Sequence, residues 1–169
     1  MAYFHFIIDA SVSHSDFQNT PVYTRLIDQL DHLFELNQNK STPDLVGFTI
    51  FHDQVQRRKL AIPIAEFLDK MREALDFKAG SAIIDAIAMT SSWIHEQLVK
   101  VDCAKHVMVF SDFEENASCF YSVEMLGELI KVYRKANGFE FYAFGLKRSQ
   151  ESLFIKMNFS LENLIFLEE

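Results

Sequence analysis

The segment "YFHFIIDASVS", from Tyr3 to Ser13, carries the main indication of the chain's architecture. Five of its first six residues are apolar or aromatic, which is typical of a strand that is buried on both faces. The acid Asp9 and the hydroxyl residues Ser11 and Ser13 then follow at alternate positions, where an extended chain points them to one side. The stretch therefore predicts a buried strand that delivers three oxygen-bearing side chains to its carboxyl end.

Segments typical of strands and helices alternate along the rest of the chain. A short run at 59–64, after an expected turn at 52–58, predicts an antiparallel edge strand that Pro63 ends. Apolar runs of strand length lie at 45–51, 105–112, 139–145 and 163–169. Helical spacing of apolar residues, together with helix-capping residues, predicts helices at 21–37, 65–77, 81–101, 122–138 and 150–157.

The order of these elements is β-α-β-β-α-α-β-α-β-α-β. Strands without a polar face indicate a mostly parallel sheet that is covered on both sides. We therefore expect an α/β fold with a doubly wound, Rossmann-like sheet of about six strands, one antiparallel edge strand and helices on both faces. The length predicts a single domain spanning 1–169.

The composition bounds the partners and the cellular location. The chain carries 24 acidic against 16 basic residues, a formal charge of −8, which argues against nucleic acid or an anionic membrane as the main partner. No apolar stretch approaches the roughly 20 residues of a membrane span, and nothing resembles a signal peptide. Cys103 and Cys119 form no CxxC pair, so we expect free thiols and a cytoplasmic protein.

Two further segments bring oxygen atoms to the expected binding edge of the sheet. Ser111 and Asp112 close the apolar run at 105–112, and Ser81 opens the helix predicted at 81–101. Ligands of such sheets bind beyond the carboxyl ends of the strands, so these groups can converge with those that follow the first strand. Carboxylate and hydroxyl oxygens suit a hard divalent cation, and Mg²⁺ takes six oxygens at about 2.0–2.1 Å. The pattern predicts a metal site.

These segments resemble, in order, the motifs of von Willebrand factor type A (VWA) domains. Asp9-x-Ser11-x-Ser13 is similar to the DxSxS motif that begins the metal-ion-dependent adhesion site (MIDAS) of that family. "AGSAIIDAI" resembles the segment "GGTxIxDAL", with Ser81 in the place of the Thr, and "VMVFSDFEEN" resembles the segment ending in "TDG", with Asp112 in the place of the Asp. "FYAFGLK" is similar to the late strand "YAIGIG", so the resemblance covers nearly the whole chain.

The resemblance implies a ligand set and a class of function. Ser11 and Ser13 would ligate Mg²⁺ (or Mn²⁺ or Ca²⁺) directly, Asp9 and Asp112 directly or through water, and Ser81 would act at the Thr position. An Asp or Glu of a partner protein would complete the metal's coordination. The expected function is therefore that of a non-enzymatic, metal-dependent interaction module, an intracellular adaptor or scaffold.

The chain departs from the family pattern at three places. Val12 and His14 stand where the family usually has the Gly and Met of DxSGSM. Phe113 stands at the Gly of "TDG", where we expect it to narrow the rim of the site and contribute to specificity. We expect Glu114 and Glu115 to lie in a solvated loop.

Other interpretations stay open on the sequence alone. Asp and Ser are also common in turns and helix caps, so the metal site could be vestigial and partners could bind by surface packing. An Asp after the first strand of a doubly wound fold can also accept a phosphoryl group beside Mg²⁺, and Lys147 after a later strand would fit such a phosphoacceptor. Asp85, one turn into the long helix, is expected to support the N-terminus of that helix.

Overall fold

The computed structural model describes residues 1–11, 14–115 and 117–167, with the backbone alone for 14–16, 56 and 57. Six strands are present: β1 (Ala2–Asp9), β2 (Leu45–Phe51), β3 (Val55–Ile62), β4 (Ala104–Phe110), β5 (Phe139–Leu146) and β6 (Leu164–Phe166). The α-helices are α1 (Pro21–Asn37), α2 (Phe67–Ala74), α3 (Ile83–Leu98), α4 (Val123–Ala136) and α5 (Glu151–Lys156). Val12 and Ser13, which belong to the predicted metal-site motif, lie outside the described residues.

The strands form one sheet in the order β3-β2-β1-β4-β5-β6. β1 is parallel to β2 on one side and to β4 on the other, and β3 is the antiparallel edge strand beside β2. β2 and β3 lie on one side of β1, and β4, β5 and β6 follow on the other side. The direction in which successive strands are added to the sheet therefore reverses between β1 and β4. The carboxyl ends of these two strands mark the place where sheets of this kind bind ligands.

An apolar core lies on each face of the sheet. On one face, Phe6 and Ile8 of β1 pack in a cluster with the buried residues of α1 and α2. On the other face, Tyr3 and Ile7 of β1 belong to a second cluster with α3, α4 and α5. This alternation follows from the period of two residues in a strand. The sheet, its antiparallel edge and the helices on both faces confirm the predicted fold class.

Several element boundaries differ from those that the sequence predicted, and two of them have a clear physical cause. β3 begins at Val55, so part of the expected turn at 52–58 is strand; its polar residues pair with β2 through the backbone, as in the Thr49–Arg58 pair, and composition does not reveal such pairing. α3 begins at Ile83 and not at Ser81, because Ala82 has a non-helical backbone (φ −100°, ψ 56°) and forms the N-cap. The backbone N–H of Ala82 donates to the carbonyl of His52 at 2.7 Å. Ser81 is thereby held against the end of β2.

Candidate metal centre

Asp9 is the centre of a polar cluster at the carboxyl end of β1. Its side chain is buried, with 4% of the residue exposed. Oδ1 accepts the backbone N–H of Ser11 at 2.8 Å, and Oδ2 accepts the hydroxyls of Ser81, at 3.1 Å, and of Ser111. Three separate segments therefore meet at one buried carboxylate, the segments that follow β1, precede α3 and follow β4.

The surroundings of Asp9 disfavour its negative charge. Burial raises the pKa of the Asp9 carboxyl above its usual value, and the negative charge of Asp112 adds to the rise. Hydrogen bonds from Ser11 and Ser111 act in the opposite direction but do not cancel the effect of burial. A cation placed at this cluster would supply the missing positive charge.

A cavity of about 160 Å³ joins the two acidic residues of the predicted site. Asp9, Ser111 and Asp112 form its polar wall. The remaining wall comes from the segment around the start of α1 and from the end of the chain, and consists of Phe17, Thr20, Pro21, Val22 and Leu167. Thr20 caps α1 by accepting the N–H of Tyr23, which fixes this part of the wall. Asp9 and Asp112 therefore face one small, mostly apolar space.

The segment that carries Ser81 is tied to the ends of β1 and β2. The backbone N–H of Lys78 donates to the carbonyl of Ala10 at 3.3 Å, and the ammonium of Lys78 lies 2.8 Å from Asp53 Oδ2. Gly80 has a φ of +101°, and a Cβ there would come within 3.0 Å of the Cβ of Asp53. A glycine is thus needed for the tight turn that presents Ser81 to Asp9.

Asp112 lies in a short turn after β4. Its Oδ1 accepts the N–H of Glu114 at 3.1 Å, and the side-chain amide of Gln150 donates to the carbonyls of Asp112 and Phe113 at 3.3 and 3.2 Å. Phe113 has a φ of +59°, the left-handed conformation that favours glycine. Its ring is buried and packs edge-on against Phe154, with ring centroids 4.8 Å apart. The expectation that Phe113 shapes the rim was wrong, because the ring faces the core.

Two further acids anchor the loop between Asp112 and α4. The carboxylate of Asp85 accepts the backbone N–H groups of Cys119, Phe120 and Tyr121 at 2.8 to 3.3 Å. Glu115 accepts the N–H of Ile84 in the first turn of α3 at 3.0 Å, and also two N–H groups of its own loop. Glu115 is thus a structural anchor, contrary to the expectation of a solvated side chain. No motif signalled these contacts, because they join segments about 30 residues apart.

The structure brings most of the predicted ligands together. Asp9 contacts Ser11 through the backbone and Ser81 through the side chain, and Asp112 borders the same cavity as Asp9. Ser13 lies outside the described residues. Ser111, which the sequence placed at the binding edge but not among the predicted ligands, donates directly to Asp9.

The donor set defines which ion fits. In the part of the chain that the structure describes, no group of three or more His, Cys, Asp or Glu residues could hold a metal ion. The cluster instead offers two carboxylates with serine hydroxyls. Such all-oxygen sets suit hard cations like Mg²⁺, which keeps water where the protein supplies fewer than six ligands.

Comparison with known proteins gives the fold. No protein-family model and no curated protein matches the chain by sequence. Among solved structures, the SpRpn10 VWA domain has a TM-score of 0.69 at 17% identity and covers 98% of this chain and 87% of that one. Proximal thread matrix protein 1 from the mussel byssus, with a zinc-occupied MIDAS motif, has a TM-score of 0.64 at 18% identity. The match covers 98% of this chain but 41% of the mussel protein, so the chain spans about two fifths of that length.

A third similar structure is an aerotolerance-related membrane protein from Bacteroides fragilis, with a TM-score of 0.62 at 14% identity over 100% of this chain and 92% of that one. The chain is thus an α/β protein with a doubly wound sheet and a carboxylate–hydroxyl cluster where the strand order reverses. Its fold is that of a VWA domain, as the motifs predicted.

Proposed function

We propose that the chain is a divalent-metal-dependent protein-interaction module, an adaptor or scaffold that binds a carboxylate of its partner through a MIDAS-type site. The observation that carries this proposal is the buried carboxylate of Asp9, which accepts the hydroxyls of Ser81 and Ser111 from two other segments of the chain. Burial disfavours the charge of this carboxylate, and a bound cation would stabilise it.

Each residue of the proposed site has a distinct part. Asp9 and Asp112 would supply two negative charges, and Ser11, Ser13 and Ser81 would supply neutral oxygens. Mg²⁺ is the proposed ion, with Mn²⁺ or Ca²⁺ as substitutes, because all three prefer oxygen ligands. An Asp or Glu of the partner would fill the open coordination position.

Calorimetric titration of the metal-stripped protein with Mg²⁺, Mn²⁺ and Ca²⁺ tests the proposal. We expect saturable binding at one site, and we expect Asp9→Ala or Asp112→Ala to abolish it while the protein stays folded. Asp102→Ala is the matched control, since this exposed acid lies just before the amino-terminal end of β4, whereas the proposed site lies at the carboxyl ends of the strands. No binding at millimolar metal, or equal binding in all variants, would contradict the proposed site and favour partner binding by surface packing.

The proposed module is not an enzyme. The alternative from the sequence is phosphoryl transfer or phosphoacceptance at Asp9, with Lys147 as the late lysine that a phosphoacceptor site requires. Lys147 instead lies 3.4 Å from the carboxylate of Glu114, and both side chains are exposed. A phosphatase assay with Mg²⁺ and a generic aryl phosphate should show no turnover above that of Asp9→Ala; turnover that this substitution removes would favour the alternative.

The partner and the location complete the proposal. The partner is a protein, and the location that we propose is the cytoplasm, where Cys103 and Cys119 would stay reduced. Both cysteines are free thiols in the structure. None of the helices in the described part of the chain combines the length and apolarity needed to cross a membrane.

A further inference from the structure

Helix α4 carries two apolar stripes, and one of them faces away from the core. Leu126 and Ile130 are fully buried against the sheet. Met125, Leu129 and Val132 follow the spacing i, i+4, i+7, which places them on another face of the same helix. Met125 is 53% exposed and Val132 is 55% exposed. An amphipathic surface helix normally shows one apolar stripe. In this second stripe Leu129 packs partly against the core, whereas Met125 and Val132 lie mainly in solvent.

The second stripe is part of a groove. Its lining consists of Tyr121, Glu124, Met125, Glu128, Leu129, Val132 and Tyr133, which we call the α4 groove. Tyr133 is buried at its base, where its hydroxyl donates to Ser92 of α3 at 3.2 Å. The solvent-accessible part of the lining is mostly apolar.

The loop that leads into α4 also carries an exposed aromatic ring, one residue before Tyr121 of the groove. Phe120 is 69% exposed, the highest value among the large hydrophobic residues of the described chain. Its backbone N–H and those of its two neighbours donate to the buried carboxylate of Asp85. The ring is therefore presented on a fixed backbone, and little conformational entropy is lost when a partner covers it.

The charges at the groove have one sign. Glu124 and Glu128 are the charged residues of its lining, and both are acidic. Lys156 approaches Glu124 at 3.4 Å, but both side chains are more than 60% exposed, so this ion pair is weak and can open. For Glu128, no basic side chain of the described chain lies within 4.0 Å. A partner with basic residues beside an apolar face would match this arrangement.

We propose that the α4 groove binds an amphipathic helix of another protein, one whose apolar stripe is flanked by Lys or Arg. Apolar residues at i, i+3 or i+4 and i+7 of that helix would cover Met125, Leu129 and Val132, and its basic residues would meet Glu124 and Glu128. A second copy of this chain fits less well, because each copy carries a formal charge of −8 and an isologous contact would bring the acidic edges together. The surface lies outside the Asp9 cluster and does not depend on a metal.

Fluorescence anisotropy with two model peptides tests this proposal. The peptides are helical, about 18 residues long, with the same leucine stripe and either Lys or Glu at the remaining positions. The full chain is titrated at about 0.15 M salt, so that long-range attraction is screened. We expect the Lys peptide to bind at one site, and the Glu peptide to bind at least about tenfold more weakly. The result should be the same with EDTA and with Mg²⁺.

Variants of exposed residues separate groove binding from general attraction to an acidic protein. The double variant Met125→Ser/Val132→Ser should weaken binding of the Lys peptide by about tenfold or more. Leu36→Ser on α1, where Leu36 is 51% exposed, is the matched control and should leave the affinity unchanged. Glu128→Lys should weaken binding of the Lys peptide and reduce the salt dependence of that binding.

Three outcomes would overturn the proposal. The first is equal binding of the Lys peptide to the groove variant and to the Leu36→Ser control. The second is equal affinity for the Lys and Glu peptides. The third is micromolar self-association in sedimentation equilibrium that the Met125→Ser/Val132→Ser variant removes, which would assign the groove to a second copy of the chain.

Discussion

Phe113 holds a left-handed backbone, with a φ of +59°, immediately after the proposed ligand Asp112. For a residue with a Cβ this conformation costs about 1–2 kcal/mol. The side chain offsets that cost, because its ring is 6% exposed and packs against Phe154. At this residue the chain keeps the turn that a glycine would favour and adds an apolar anchor that a glycine lacks.

At Phe113 the Gly variant should therefore be more stable than the Ala variant, the reverse of the order at most positions. Loss of the buried ring in Phe113→Ala should lower the free energy of unfolding by about 3–5 kcal/mol. Phe113→Gly loses the same ring but relieves the backbone, so it should be more stable than Phe113→Ala by about 1 kcal/mol. Urea denaturation measures both. Phe120→Ala, at an exposed ring in the same loop, is the control and should change little; an Ala variant more stable than the Gly variant would contradict the left-handed backbone.

His5 is a buried histidine in the middle of β1 that the core holds neutral. Its Nδ1 lies 2.6 Å from the hydroxyl of Tyr3 and its Nε2 lies 2.7 Å from the hydroxyl of Thr49. Burial lowers the pKa of His5 from 6.5 to about 3, and the positive charge of Arg58 contributes. The folded state therefore binds a proton at His5 less readily than the unfolded state.

That difference predicts a pH dependence of stability. The contribution of His5 is fully present above the unfolded pKa of about 6.5 and is lost as the pH falls towards 3, with a slope approaching 1.4 kcal/mol per pH unit. His5→Gln removes this titration and should flatten the decline, although its stability at pH 7 is lower. Urea denaturation at several pH values between 7.5 and 4.5 compares the slopes. Parallel slopes in the two proteins would show that His5 does not titrate with a lowered pKa.

At the scale of elements, the start of α3 organises the binding edge of the sheet. Ser81 lies just before this helix and contacts Asp9, and the N–H of Ile84 donates to Glu115. Asp85, in the first turn, accepts three N–H groups of the loop that leads into α4. Asp85 therefore does more than support the helix N-terminus, because it also fixes a distant loop.

Removing the carboxylate of Asp85 should release that loop. Asp85→Ala leaves the N–H groups of Cys119, Phe120 and Tyr121 unpaired, which should lower the free energy of unfolding by about 3 kcal/mol. Asp85→Asn keeps one acceptor oxygen, so its free energy of unfolding should lie between those of the unsubstituted chain and Asp85→Ala. Hydrogen exchange at 119–121 should accelerate in both variants, more in the Ala variant. Glu96→Ala, at an exposed acid of the same helix, should leave exchange and stability unchanged; protection retained in Asp85→Ala would contradict the anchoring role.

At the scale of the whole molecule, the sequence predicted the sheet better than the site. Buried parallel strands such as Leu45–Phe51 are continuous apolar runs, and their composition alone indicates them. The polar start of β3 at Val55 was missed, because an edge strand is defined by the partner that it pairs with. The contacts of Asp85 and Glu115 were missed for the same reason, since each joins segments that only the folded chain brings together. The placement of Ser81 beside Asp9 could be predicted, because Asp9 lies at the carboxyl end of β1 and Ser81 lies just before α3, and these ends meet at the binding edge of the sheet.

Metal binding at the proposed site should stabilise the whole fold, because the Asp9 cluster joins segments from both halves of the sheet. An ion that binds only the folded state adds about 2.7 kcal/mol at one hundred times its dissociation constant. For a chain of this size that corresponds to a rise of roughly 5–10 °C in Tm. Thermal unfolding with Mg²⁺, against NaCl at equal ionic strength, measures the effect. Asp112→Ala should remove the rise and Asp102→Ala should preserve it. An equal rise in both variants would mean that the ion acts elsewhere on this acidic protein, and no rise in the unsubstituted chain would mean that the folded state offers the ion no binding site without a partner.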